Sequence, residues 1–316
     1  MSTPGWAWLL FNAGVLVVLA VDLGMNWRRG HAQSLGEAAR WVALWVGLSL
    51  AFGLLLWRTH GPESGLEFFT AYLIEYALSV DNLFVFLLVF QYFRIQPAQQ
   101  HQLLFWGVLG AFVLRGTLIL GGAALVREFD WLLYVFGAFL LWSAVKLARA
   151  KGDEPETDPG RNPVLALARR VLPLADSAPP DRFLVRSGGK LRVTPLFLVL
   201  LVVETTDLMF ALDSIPAVLG VSRDPFILYS SNVTAVLGLR SLFFVLSALM
   251  ARLRYLKPAL AVVLGFVGLK MILDAWMPLP VWLSLIVITG ILAVAFLASW
   301  RRMRAEEVSS GRPGTG

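Results

Sequence analysis

The sequence predicts an all-α, polytopic membrane protein of about nine transmembrane helices, and three observations carry that prediction. Of the 316 residues, 58% are hydrophobic and only 15% charged, with a mean hydropathy of +0.71; a soluble domain is nearer ~45–50% apolar and ~25% charged. The apolar residues fall into nine runs close to the ~20 residues a helix needs to cross a bilayer. The basic residues fall on one side of those runs. Counting Arg40 and Arg149 with the loops they border, the loops after spans 1, 3, 5 and 7 and the C-terminal tail hold twenty of the 27 Lys and Arg. The opposite loops hold only Arg58, Arg127 and Arg223. By the positive-inside rule the chain is N-out and C-in. The net charge of +6 is therefore topological and no nucleic-acid partner is expected.

The elements follow in order. Run 6–25 lacks a basic n-region, so it reads as a span and not as a cleaved signal peptide. Runs 40–57 and 67–90 follow, then 103–125, whose Gly107, Gly110, Gly116 and Gly121 suit close helix approach. Run 131–149 precedes a loop at 150–194 that carries most of the basic charge. In it, 151–161 is polar with Pro and Gly and is expected to be flexible. Segment 162–172 has the spacing of an interfacial amphipathic helix, and 183–194 reads as a hairpin turning at Gly188-Gly189. Runs 195–220, 226–251, 258–276 and 281–299 complete a single transmembrane domain over 1–304, with 305–316 expected to be a disordered tail. Most of the 12 tryptophans sit near span ends, as in an interfacial belt.

Five carboxylates lie where charge is expensive: Glu75 and Asp81 in span 3, and Glu204, Asp207 and Asp213 in span 6. Each costs on the order of 2.5–3.5 kcal/mol at a helix centre. Arg115 (span 4), Arg240 (span 7), Lys146 (span 5) and Lys270 (span 8) are the charge-balancing cations. With Asp22 near the end of span 1, the formal excess is two negative charges, which one divalent cation neutralises. Structural ion pairing is the competing account of the same residues. Glu204 and Asp207, three apart, share a helix face. Acids six apart (Glu75 and Asp81, Asp207 and Asp213) are rotated by ~240° and do not, unless the helix is interrupted. Pro216 offers such an interruption and would free the Leu212 carbonyl. Ser79, Asn82, Ser214 and Asn232 add side-chain oxygens, and Met209 is the one soft atom between the acids.

The acids also repeat. Glu75-Tyr-Ala-Leu-Ser-Val-Asp-Asn matches Asp207-Leu-Met-Phe-Ala-Leu-Asp-Ser, and each is followed by a span with a central arginine and then a span with a lysine. Spans 3–5 and 6–8 therefore form a 3+3 repeat, inverted because each unit holds an odd number of spans. That is a recurring plan of secondary transporters, with the site at the midplane.

The stretches Glu75-Tyr-Ala-Leu-Ser-Val-Asp-Asn-Leu-Phe-Val-Phe and Glu204-Thr-Thr-Asp-Leu-Met-Phe-Ala-Leu-Asp-Ser-Ile-Pro-Ala-Val resemble the two signature segments of the TerC family. The segment 183–195 is similar to that family's pattern as well, and the likeness covers roughly 65–275. The resemblance implies a multi-pass protein of the bacterial inner membrane, named for tellurium resistance and placed near the LysE-type exporters. It further implies manganese export or supply of metal to exported proteins, and it places the family's acidic positions on Glu75, Asp81, Glu204, Asp207 and Asp213.

The expected activity is transport and not enzymatic catalysis. The candidate metal-binding set is Glu75, Asp81, Asn82, Glu204, Asp207 and Asp213, with Ser79, Met209, Leu212, Ser214 and Asn232 as additional ligands. Carboxylates, amide and hydroxyls suit Mg²⁺, Ca²⁺ and Mn²⁺ alike; the Met209 sulfur and the family resemblance are what favour Mn²⁺. The chain has no Cys and its three His lie outside the apolar runs, which disfavours Zn²⁺, Cu, Fe–S and haem. Tellurite, an anion, would be repelled by five carboxylates. No permanently bound cofactor is expected; the partners are membrane lipids, a divalent ion and protons. The alternative is a membrane scaffold of a stress-response or secretion-metalation complex, with secretory or stress-protein partners on loop 150–194. Neutralising Asp81 and Asp213 would spare a scaffold; deleting the loop would not.

Overall fold

The computed structural model describes residues 3–27, 34–149, 162–175, 182–187, 189–249, 255–273, 276–277 and 279–309. About 85% of the described residues are helical. Its helices are α1 (Gly5–Trp27), α2 (Leu35–His60), α3 (Pro62–Tyr92), α4 (Pro97–Glu128), α5 (Leu132–Arg149), α6 (Pro163–Val171), α7 (Pro195–Leu219), α8 (Pro225–Leu237), α9 (Leu239–Leu249), α10 (Leu256–Leu273) and α11 (Val281–Ser309). Six are long and apolar enough to cross a membrane, and the bent pair α8–α9 makes a seventh. Two further apolar stretches, Gly5–Ala20 and Pro258–Leu273, are shorter.

The helix starts follow from local chemistry. Proline opens α3, α4, α6, α7 and α8, where its missing N–H is an orphan in any case. Ser34, Asn162, Thr194 and Asp224 accept backbone N–H groups of the first turn through their side chains. The expected loop elements form. Asn162 caps α6, and β1 (Leu184–Ser187) pairs antiparallel with β2 (Lys190–Val193) around Gly189, whose φ is +76°. Residues 173–175 run beside β2, bridging Leu174 to Val193. The segment 150–161, expected to be flexible, lies outside the described residues.

Three expectations are corrected. Pro216 does not interrupt α7, which runs unbroken to Leu219; the proline sits in the last turn, where one lost hydrogen bond is tolerable. The break falls instead in the span expected to be continuous at 226–251: α8 and α9 meet at Gly238 with a bend of 45°. A Cβ there would come within 3.3 Å of the Trp45 Cβ, so glycine lets α2 approach the bend. The helix α11 continues through Ser309, into the segment expected to be disordered; Arg301-Arg-Met-Arg-Ala-Glu-Glu307 is made of good helix formers. Residues 310–316 are outside the described set.

The core is helix on helix. α3 and α7 lie inside, and the exposed large apolar residues concentrate on outer helices such as α1, α2 and α11 (Leu9, Leu54, Val294). In a bilayer those faces meet acyl chains. The closest crossing is α5 on α10: a Cβ on Gly137 would be 2.9 Å from the Gly268 carbonyl, and one on Gly268 2.8 Å from that of Gly137. Of the span-4 glycines, Gly107, Gly110, Gly116 and Gly122 face α7 or α8 side chains, whereas Gly121 faces open space.

Candidate metal-transport site

The acids of α3 and α7 are brought to α4 and α5 in two separate arrangements. The first centres on Arg115, which is fully buried. Its Nε donates to Asp207 Oδ2 (3.0 Å) and its Nη2 to Asp207 Oδ1 (2.9 Å). Its Nη1 donates to Glu75 Oε2 (3.0 Å). With the Asn82 amide oriented by its hydrogen-bond network, Asn82 Oδ1 accepts from Nη2 (3.0 Å) and Nδ2 donates to the Leu78 carbonyl (2.9 Å). A planar fork thus holds one acid from α3 and one from α7, Asp207 in the geometry that suits bidentate pairing. The formal charge of Glu75, Asp207 and Arg115 together is −1. Ser214 and Asn232 face the Glu75 carboxylate from α7 and α8. Glu75 Oε1, Ser79 Oγ, Ser214 Oγ and Asn232 Nδ2 are buried without a hydrogen-bond partner among the described residues.

The second arrangement centres on Asp213, rotated away from Asp207 as six-residue spacing dictates. Its Oδ1 accepts from Ser143 Oγ of α5 (2.9 Å). Asp213, Ser143 and Asn82 line a cavity of about 70 Å³ with Lys146, Trp142, Leu78 and Phe210. The Lys146 ammonium lies 5.8 Å from the centre of the Trp142 ring. Asp81 immediately precedes Asn82, but its side chain is outside the described set.

The remaining expected residues are placed as follows. Glu204 shares the α4-facing side of α7 with Asp207, and its carboxylate fills the notch at Gly110, where any Cβ would collide with it. Arg240 is buried near His101, itself stacked on Phe244 with centroids 4.4 Å apart. Lys270 is buried within electrostatic reach of Glu67, whose Oε2 accepts from Ser222 (2.6 Å). Met209 (56% exposed) and Leu212 (54% exposed) are on the outer face of α7, away from both arrangements. Among the described residues, no three His, Cys, Asp or Glu converge in a ready-made metal cluster.

Sequence reasoning passed over Ser143, Glu67 and the Asn162–Thr205 contact. Asn162 Nδ2 donates to Thr205 Oγ1 (3.1 Å), tying α6 to α7 beside Glu204. Ser143 carried a signal, since it is three residues before Lys146 and so on its helix face.

Known proteins resemble this chain over nearly its whole length. An uncharacterized membrane protein of Myxococcus xanthus, STKORF319, is 45% identical over 306 residues, covering 96% of this chain and 94% of the relative. Proteins named as candidate membrane-bound redox modulators, Alx, are similar too. The one from Salmonella typhi is 46% identical over 308 residues (94% of this chain, 95% of the relative), and the one from Escherichia coli K12 is 42% identical over 323 residues (98% and 100%). No solved structure matches. The family model described as integral membrane protein TerC family matches residues 60–307, and the chain, with its two acidic signature segments set on buried helices, belongs to that family of integral membrane proteins.

Proposed function

We propose that the protein exports a divalent metal cation, Mn²⁺ in preference to Ca²⁺ or Mg²⁺, across the bacterial inner membrane, with protons returning. The observation that carries the reading is the cavity lined by Asp213, Ser143 and Asn82 in the membrane domain. It offers a carboxylate, a hydroxyl and an amide, with Asp81 adjacent in sequence, a hard-oxygen set suited to Mn²⁺, Ca²⁺ or Mg²⁺. About 70 Å³ accommodates an ion with one or two of its waters.

Nine spans and the inverted repeat belong to the same proposal. Exchanging α3 with α7, α4 with α8 and α5 with α10 maps the more extensively packed pairs onto one another, though α4–α5 and α7–α10 have no such counterpart. The pair α3–α8 becomes α4–α7, and α3–α10 becomes α5–α7; α3–α7, α4–α8 and α5–α10 map onto themselves. This partial correspondence supports a pseudo-two-fold axis passing between α3 and α7, and transporters of that plan rock one unit against the other around a midplane site.

In this scheme the metal binds between the units at Asp81 and Asp213. Arg115 keeps Glu75 and Asp207 compensated throughout. The relatives' name points to redox modulation, and control of a redox-active ion is a route to it that needs no cysteine, of which this chain has none. The test is Mn²⁺ efflux from preloaded cells, with Ca²⁺ and Mg²⁺ as competitors. Saturable efflux lost in Asp81→Asn/Asp213→Asn supports export. Efflux equal to that of cells lacking the protein refutes it.

A further inference from the structure

Four buried polar atoms beside the Arg115 joint are left over once its hydrogen bonds are drawn. Glu75 gives Oε2 to Arg115, but its Oε1 has no hydrogen-bond partner among the described residues, and neither do Ser79 Oγ, Ser214 Oγ and Asn232 Nδ2. None of the four residues is more than 1% exposed. Ser214 of α7 and Asn232 of α8 face the Glu75 carboxylate, and Ser79 follows Glu75 by one turn on the same side of α3. A buried polar atom without a partner carries its full desolvation penalty and is rare. Four at one helix junction point to a ligand that they share.

The electrostatics fix the charge of that ligand. Arg115 donates twice to Asp207 and once to Glu75, so one guanidinium serves two carboxylates and the three groups sum to −1. One monovalent cation at Oε1 brings the sum to zero, whereas a divalent ion overshoots it. The donors are one carboxylate oxygen, two hydroxyls and an amide, a hard-oxygen set. Because Asn232 Nδ2 has no partner, the amide turns to present Oδ1 without breaking a bond of its nitrogen. Four oxygens form a small coordination sphere, which suits Na⁺ better than the larger K⁺.

We infer that the junction of α3, α7 and α8 is a monovalent-cation site, where Na⁺ held by Glu75, Ser79, Ser214 and Asn232 completes the Arg115 joint. Arg115 ties α4 to the acids of α3 and α7, and the ion ties α8 to the same pair of helices. The site is apart from the Asp213 cavity, whose lining includes none of these four residues. It therefore stands independently of the export reading.

The experiment uses the full chain, purified without Mn²⁺, as wild type, Ser79→Ala/Ser214→Ala and Glu75→Gln. The thermal unfolding midpoint is followed as Na⁺ replaces choline at constant ionic strength, with K⁺ and Mn²⁺ titrated in parallel. Wild type is expected to gain a saturable rise of about 2–4 °C in Na⁺ and less in K⁺. The Na⁺ concentration giving half the rise increases by about tenfold in the double variant, which has lost two neutral ligands, and Glu75→Gln shows no rise. In choline the double variant is at least as stable as wild type, because two unpaired hydroxyls are gone, so the comparison does not depend on a damaged fold. A wild-type midpoint indifferent to Na⁺, or an equal rise in all three proteins, overturns the inference and leaves the pocket to water or to a proton on Glu75. A rise driven by Mn²⁺ instead of Na⁺ and lost in the same variants overturns it as well, and assigns the pocket to the divalent ion.

Discussion

The Arg115 arrangement and the Asp213 cavity use the same residue types to opposite ends. Around Arg115, two carboxylates from α3 and α7 are locked by one guanidinium, with both Asp207 oxygens and one Glu75 oxygen bonded at 2.9–3.0 Å. Around Asp213, the carboxylate accepts from the Ser143 hydroxyl and lines a cavity of about 70 Å³ together with Asn82 and Lys146. The difference teaches that the same acids can serve two ends: a fully forked arginine makes a joint between helices, whereas, on the proposed reading, a half-buried carboxylate beside open volume receives the ion.

The comparison breaks most severely at Arg115. Arg115→Met leaves Glu75 and Asp207 buried without their cation, a loss of about 3–5 kcal/mol. Little folded protein is expected in detergent-solubilised membranes, measured by size-exclusion chromatography. Asp213→Asn is expected to do the reverse. It keeps a hydrogen-bonding group toward Ser143, so the protein folds, but Mn²⁺ flux falls to background and the metal-dependent thermal shift vanishes. Gly110→Ala places a methyl against the Glu204 carboxylate and forces α4 from α7, a cost of about 1–3 kcal/mol readable as a lower unfolding midpoint. Asn162→Ala removes the α6 cap and the Thr205 bond and costs about 1 kcal/mol, visible as faster proteolysis on the 150–194 side with flux retained. The smallest effect belongs to Met209→Leu. On the outer face of α7 it is expected to change stability by less than about 0.5 kcal/mol and to leave metal competition profiles unchanged.

Much of this was legible in the residues. Among the described residues each apolar run lies on helix, one of them broken at Gly238, because apolar backbone in lipid has no other way to satisfy itself; six, or seven with the bent pair, are long and apolar enough to cross a membrane. Asn162 and Gly189 marked the starts and turns of the loop elements, since capping and positive φ are local requirements. The bend was misplaced because proline is the louder signal. Pro216 sits where α7 is ending anyway, whereas Gly238 bends its span under the approach of Trp45, a tertiary contact that spacing does not announce. The acids were found, but their division was not. Which carboxylate receives the guanidinium and which the cavity depends on α4 and α5 packing against α7 from different sides. Met209 was singled out for its sulfur, and only the position of α7 in the bundle shows that the side chain lies outside.

The central claim is that Asp213 and its cavity bind the transported ion while the Arg115 joint does not. It is tested most directly by Mn²⁺ flux into proteoliposomes holding purified wild type, Asp213→Asn or Glu75→Gln. The account predicts saturable flux in wild type, none above empty liposomes in Asp213→Asn, and retained flux in Glu75→Gln, whose Arg115–Asp207 fork survives. Flux retained in Asp213→Asn, or lost only in Glu75→Gln, would contradict it and move the ion to the joint.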